Sequence, residues 1–313
     1  MLYGGDLMKK VDGVFEGGGV RGIAFVGAIC QLEEQGYEWV KLAGTSAGAI
    51  VAALLAAGYT GQELKVVLNE LDYRMFLDKT MLQSVPVMGK LAGLLFERAI
   101  YNGNAFEDWF TGLLKKKGVT TFKDLNYGES QLKIIASDIT RKELLILPDD
   151  LLRYGLDPLE FPIAKAVRMS MSIPLFFKPV KLYYKEKSSL IVDGGILSNY
   201  PIWIFDVKGK PRWPTFGFKL MNPGKISGSG ETNIVSYLQD IISTMLNEND
   251  GRYLCHSENI RSISIPTLGI SSTQFDISHS DSHKLYDSGY EAAKQFLKTW
   301  DFQRYIKENR MQE

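Results

Sequence analysis

Gly44-Thr45-Ser46-Ala47-Gly48 follows the apolar run Lys41-Leu42-Ala43 and precedes the alanine-rich run Ala49 to Ala57, so the stretch reads as strand, tight turn and helix. Few local patterns constrain a fold as strongly. A serine at such a corner needs small neighbours at Gly44 and Gly48, and the turn lifts its hydroxyl to a helix N-terminus, where negative charge is stabilised. Ser46 is therefore a candidate nucleophile. Gly and Ser also make ordinary strand-to-helix turns, so the pentapeptide alone leaves both readings open.

A second glycine cluster in the same context adds weight. Val11 to Phe15 is strand-like, Glu16 to Gly22 reads Glu-Gly-Gly-Gly-Val-Arg-Gly, and Ile23 to Glu34 has the spacing of an amphipathic helix. Gly17, Gly18 and Gly19 can turn successive N–H groups toward one point, making a cradle for an oxyanion or a phosphate. Gly17, Gly19 and Gly22 also satisfy the dinucleotide fingerprint. That site requires an acid at the end of the second strand. The acid at suitable distance, Glu38, falls before the expected strand, which disfavours a nucleotide. Arg21 is a cation at a helix start, where it opposes the dipole; it either anchors a loop carbonyl, the favoured reading, or meets an anion.

With 313 residues, the chain has room for a substantial core, and its 36 basic and 36 acidic residues cancel, which argues against a nucleic-acid partner. Two cysteines, Cys30 and Cys255, form neither a disulfide frame nor a metal motif. Met1 to Lys10 lacks an apolar signal core, and nothing reads as a membrane span. The expectation is a cytoplasmic protein, peripheral at a membrane at most, whose first seven residues are a dispensable leader.

Further along, Thr60 and Glu63 form a capping box for a helix to Asn69. Residues 73–103 are rich in Met, Leu and Phe with scattered glycines, which suits a lid or lipid-facing flap as well as core helices. Asn104 to Lys117 reads as a helix, and Leu132 to Ser137 with Leu144 to Leu147 as a hairpin. Asp138 in its turn is a competing base, although Ser-Asp-Ile-Thr-Arg-Lys has the composition of a polar turn. Ile163 to Ile173 is helix-like until Pro174, with Ser170 and Ser172 either lining an acyl pocket or packing closely, and Leu175 to Val180 opens a strand. Leu190-Ile191-Val192 is a buried strand ending in Asp193-Gly194-Gly195. An acid there sits where α/β sheets collect catalytic groups, so Asp193 is the preferred candidate base. Lys178, Lys181, Lys185 and Lys187 around Tyr183-Tyr184 read as a solvated hairpin, with contact to anionic lipid as the alternative. A flexible loop over Asn222 to Gly230, helices over Thr232–Glu248 and Ser282–Trp300, and a strand over Ile260–Ile265 complete the chain. Without repeats or a low-complexity linker, one domain over residues 1–313 is expected, with core motifs in 10–205 and C-terminal helices in 282–313.

Four blocks together resemble the patatin-like phospholipase family: Gly17-Gly18-Gly19-Val20-Arg21-Gly22, Gly44-Thr45-Ser46-Ala47-Gly48, Ala166 to Pro174, and Asp193-Gly194-Gly195 followed by Asn199 and Pro201. Asp287-Ser288-Gly289-Tyr290 also resembles the family's C-terminal end. The resemblance implies a three-layer α/β/α sandwich with a mostly parallel central sheet and a Ser-Asp dyad acyl hydrolase with no metal or cofactor. Ser46 would be the nucleophile, Asp193 the base and the Gly17, Gly18 and Gly19 amides the oxyanion hole, supported by Arg21, Gly22, Gly44, Gly48, Gly194 and Gly195. Implied partners are a phospholipid or another acyl-ester lipid, with transient contact to a membrane or micelle surface. Such a dyad makes a physical demand: an aspartate with a pKa near 4 is a poor base for a hydroxyl, so burial must raise it or the oxyanion hole must carry the reaction. A Ser-Asp-His triad with His256, His279 or His283 is the rival arrangement, although all three sit in polar surroundings. An acyltransferase using the same serine and a non-catalytic lipid-binding module are the rival functions.

Overall fold

The computed structural model describes residues 9–76, 78, 99–125, 131–222, 244 and 256–309. The leader, most of the 73–103 flap, the 222–230 loop beyond Asn222, the 232–248 helix apart from residue 244, Cys255 and residues 310–313 lie outside the described residues.

Parallel strands β1 (Lys9–Phe15) and β2 (Tyr37–Thr45) form the middle of an eight-stranded sheet. Outward from β1 lie β9 (Thr215–Met221) and β10 (Ser262–Pro266), both parallel; beyond β2 lies parallel β4 (Gln131–Asp138). β5 (Glu143–Leu147), β8 (Lys187–Asp193) and β7 (Val180–Tyr184) complete it by antiparallel pairing, while β3 (Ala99–Tyr101) and β6 (Leu175–Phe177) form a separate two-stranded parallel sheet. The larger sheet is the middle of a three-layer α/β/α sandwich. Val11 to Phe15 are buried in succession, because a parallel strand covered on both faces has no solvent side.

Helix α1 (Ile23–Glu34) departs from its expected amphipathic character: every residue from Ile23 to Leu32 is buried. The reason is a second helix, α7 (His279–Thr299), packed along its outer side. Their backbones approach so closely that a Cβ at Gly289 would overlap the Ala24 carbonyl oxygen, and one at Gly27 the Tyr286 carbonyl oxygen. α2 (Ala47–Ala56) packs on β1, β2 and β4. α3 (Gly61–Asn69) carries the expected capping box, with Glu63 N donating to Thr60 Oγ1 at 3.3 Å and Thr60 N to Glu63 Oε2 at 2.9 Å. On the opposite face, Tyr200, Ile202 and Phe205 cover Val14 and Ala43.

Three boundaries differ from the sequence reading. Glu38 lies inside β2, one residue from its start, still at the end remote from the glycine loop. α5 runs Ile163–Ser170, stopping four residues before Pro174, because Ser170 and Ser172 hydrogen-bond locally and across the fold rather than continuing the turn. Leu175 to Val180 is two strands and not one, β6 and β7, separated at Lys178-Pro179. α4 (Asn104–Lys116), α6 (His256–Ile260) and α8 (Phe302–Asn309) complete the described helices. None of these is long and apolar enough to cross a membrane. Tyr183, Lys181, Lys185 and Lys187 are exposed on the β7–β8 hairpin.

The α1–α7 contact predicts opposite outcomes for two Gly→Ala changes. Gly289→Ala is expected to destabilise by roughly 1–3 kcal/mol, since backbone cannot yield as a side chain can. Gly112→Ala, at an exposed position of α4 with no atom near its added Cβ, is expected to stabilise by roughly 0.5–1 kcal/mol. Urea denaturation of both variants checks the pair.

Candidate active site

β2 delivers Ser46 at its C-terminal end. Ser46 has φ 54° and ψ −119°, a backbone conformation that a non-glycine residue holds only when its surroundings enforce it. The enforcement is local: a Cβ at Gly44 would overlap the Gly48 backbone, and one at Gly48 would overlap the Phe15 carbonyl oxygen. Across the fold, Ser46 N donates to Ser170 Oγ at 2.9 Å, and Ser170 Oγ donates to the Ile135 carbonyl at 2.5 Å. Ser170 is thus a brace for the turn. Ser172 bonds Arg168, accepting from its guanidinium and donating to its carbonyl at 2.6 Å, so neither serine is a pocket wall.

Asp193 reaches the same place from the opposite direction. β4 residues Ile134 and Ile135 pair with both β2 and β5, and Ala136 to Asp138 with both β8 and β5. A strand has two edges, so β2 and β8 must share one. They run head-on along it, with Thr45 opposite Ile135 and Asp193 opposite Ala136. The two candidate residues therefore meet because β8 is antiparallel to β4, and not because a parallel sheet gathers loops at its C-terminal edge, as the sequence suggests.

The Asp193 carboxyl is fully buried. Gly195 N donates to its Oδ1 at 2.8 Å, while Oδ2 has no hydrogen-bond partner among the described residues. Burial pushes its pKa up to about 7, against smaller lowering effects of the Gly195 amide and the Ser46 hydroxyl. The serine hydroxyl thus lies close enough to act on the carboxylate. Asp138, the competing acid, is a turn group: it accepts from Thr140 N, Arg141 N and Tyr154 Oη at 2.6 to 2.9 Å, which together hold its pKa below the usual range despite burial.

The glycine loop sits above both. Gly19 has φ +56°, and a Cβ there would overlap the Ser272 carbonyl oxygen. Gly17 leaves the expected donor set, because its N–H donates to the Asn199 carbonyl at 3.0 Å. Gly18 and Gly19 have N–H groups without a protein acceptor among the described residues. Arg21 Nε donates to the Gly18 carbonyl at 3.1 Å, the favoured anchoring role, and its charge faces the buried Glu16. Gly22 and Gly194 pack against Ala47 and Ile135.

Ser46 stands at the boundary of two cavities. One, about 260 Å³ with adjoining open solvent included, is lined by Gly17, Gly18, Gly19, Asp193 and Asn199. The other, about 620 Å³ with its mouth included, is apolar, with Ile50, Phe106, Trp109, Met171, Ile173 and Phe275 among its walls. His279 and His283 are exposed on the first turns of α7 and are not partners of Ser46 or Asp193; the side chain of His256 lies outside the described residues. Among the described residues no group of His, Cys, Asp and Glu is arranged to hold a metal ion.

The family model for patatin-like phospholipases matches residues 13–206, which carry the Ser46 turn, the glycine loop and Asp193. The chain belongs to the patatin-like phospholipase family. A Bacillus subtilis (strain 168) relative, YqhO, is 38% identical over 293 residues, covering 93% of this chain and 99% of its own length. A protein of invertebrate iridescent virus 6 named probable lipid hydrolase 463L is 26% identical over 192 residues, covering 60% of this chain and 61% of its own. Among solved structures, VipD from Legionella pneumophila superimposes with a TM-score of 0.56 at 18% identity, over 93% of this chain and 67% of that one, a likeness of fold.

Sequence reasoning gave this patatin-like site no role for Glu16, Thr45 or Asn199. Glu16 carried a usable signal, the same one that flagged Asp193: an acid closing a buried apolar run. Its pKa is pushed up to about 7 by burial, offset by the Leu220 amide and by the charges of Lys219 and Arg21. A carboxyl whose pKa is higher folded than unfolded contributes stability fully below about pH 4 and loses it as pH rises through about 7. Stability is therefore expected to fall across that window by at most about 1.4 kcal/mol per pH unit for each carboxyl. Glu16→Gln and Asp193→Asn should each flatten the profile, read as urea midpoints on both sides of it.

Proposed function

We propose that this protein is a serine acyl hydrolase that cleaves fatty-acyl ester bonds of phospholipids or lysophospholipids through a Ser46-Asp193 dyad and an acyl-enzyme. The observation that carries the reading is the position of Ser46 between a small cavity lined by the candidate base and donors, and a larger apolar cavity suited to an acyl chain. Family membership and the relative named a probable lipid hydrolase support the substrate class.

In this mechanism Asp193 Oδ2, the oxygen with no other partner, takes the proton from Ser46 Oγ as that oxygen attacks the ester carbonyl. A carboxyl with a pKa near 7 is a far better match to this task than one near 4, while still largely ionised in mild alkali. The carbonyl oxygen becomes an oxyanion facing the Gly18 and Gly19 amides and the positive end of α2. Collapse of the tetrahedral intermediate breaks the ester bond, and Asp193 returns its proton to the leaving alcohol. A water entering that place gives a proton to Asp193 and attacks the acyl-enzyme; as the second tetrahedral intermediate collapses, Asp193 returns the proton to Ser46 Oγ and the fatty acid is released.

The central experiment combines fluorophosphonate labelling with a phospholipid and lysophospholipid panel read by mass spectrometry. Labelling is expected at Ser46, with free fatty acid released. Ser46→Ala should abolish labelling, and Ser46→Ala and Asp193→Asn should each lower kcat/KM by about 10³-fold or more. Joint replacement of His256, His279 and His283 should leave most hydrolysis; the reverse pattern would favour a triad. Because Asp193 must be ionised, kcat/KM should rise with pH through about 7 and then level.

A further inference from the structure

Ser198 and Asn199 tie three separate parts of the site together. The Ser198 carbonyl accepts from Thr45 Oγ1 at 3.0 Å, immediately before Ser46. The Asn199 carbonyl accepts from Gly17 N at 3.0 Å, and Asn199 Nδ2 donates to both the Gly17 carbonyl and Glu16 Oε1 at 3.4 Å. Asn199 Oδ1 occupies the place that a Cβ on residue 17 would need. This short segment, a few residues past Asp193, therefore touches the candidate base's own chain, the glycine loop and the serine turn.

Glu16 is the other half of the clamp. Its carboxylate is buried at the root of the glycine loop, with Oε2 accepting from Leu220 N at 2.6 Å and Oε1 facing the Asn199 amide. The groups around it are donors or cations: Leu220 N, Asn199 Nδ2, Arg21 from the turn into α1, and Lys219 from β9, whose ammonium also lies 5.7 Å from the Tyr200 ring centroid. Tyr200 has its own partner in Ser262, at 2.7 Å. Such a shell matches a carboxylate, with an acceptor site on each oxygen, and not a carboxylic acid, which would turn a proton toward a donor.

We infer that Glu16 and Asn199 are positioning residues that fix the Gly17–Gly19 loop with its Gly18 and Gly19 N–H groups free for an oxyanion, and that Glu16 performs this as the ionised carboxylate. Glu16 acts through the loop, and Asn199 acts on it from the wall of the small cavity. The kinetic consequence rests on the proposed hydrolase reading; the structural consequence does not. Two buried carboxyls, Asp193 at the reaction and Glu16 behind the loop, would then both have to be ionised. Both titrate near pH 7, so the acid limb of log kcat/KM should approach a slope of about 2.

The test uses the full chain with Glu16→Gln and Asn199→Ala. Backbone amide exchange over residues 16–22 is expected to quicken by about tenfold or more in both variants, with the rest of the fold protected as before. Hydrolysis of p-nitrophenyl butyrate between about pH 5 and 9 should show kcat lowered by about 10- to 100-fold with KM little changed, since the loss falls on transition-state donors. In Glu16→Gln the limiting acid slope should drop from about 2 to about 1, which a merely structural role for Glu16 would not produce. Unchanged exchange over 16–22 overturns the inference, and so does an equal acid slope in parent and Glu16→Gln. Quickened exchange in a parent chain that hydrolyses no ester would leave the clamp standing and remove the hydrolase reading instead.

Discussion

The whole site depends on two strands running toward each other along one edge of β4. β2 stops opposite Ile135 and β8 opposite Ala136, so the residue after one strand and the last residue of the other share a gap one residue wide. Backbone hydrogen bonds hold both ends in register, and a register slip would turn Asp193 to the other face of the sheet. That placement also explains why Asp193 is dry. A carboxyl between two strand ends and beneath a loop is shut off from bulk water, and that burial raises its pKa toward neutrality.

Close backbone approach is the second constraint. Gly44 and Gly48 let the start of α2 lie against β2 and the end of β1, which forces Ser46 into its unusual φ and ψ. Gly19 turns the loop above the serine with positive φ against the Ser272 carbonyl. The same device recurs away from the site, where Gly27 and Gly289 bring α1 and α7 together and seal α1 as a wholly buried layer. Each of these glycines is fixed by backbone on the other side.

Several buried charges lie at or near the site. Asp193 and Glu16 are ionisable groups inside the core, each with its pKa raised mainly by burial, and Arg21 and Arg168 are lowered for the same reason. Arg168 is satisfied by the carbonyls of Asn102, Gly103 and Lys178 and by Ser172, so it staples the β3–α4 junction to the segment between β6 and β7. Such groups are retained at a cost in stability, and two of them, Asp193 and Arg21, line the small cavity where Ser46 stands.

The sequence by itself determined what is local. Glycine spacing around Ser46, the glycine loop, the capping box at Thr60 and the acid closing a buried strand at Asp193 each depend on residues within a few positions of one another, so short-range sterics and hydrogen bonding encode them. The joint motif pattern likewise revealed the family and its sandwich. Tertiary structure alone decided what joins distant segments. The antiparallel course of β8, the burial of α1 beneath α7, the diversion of Gly17 N to Asn199 and the bracing of Ser46 by Ser170 span 124 residues in one bond and 182 or 183 in others. No local propensity specifies such contacts, because they exist only once the sheet has set the strand ends side by side and closed water out between them.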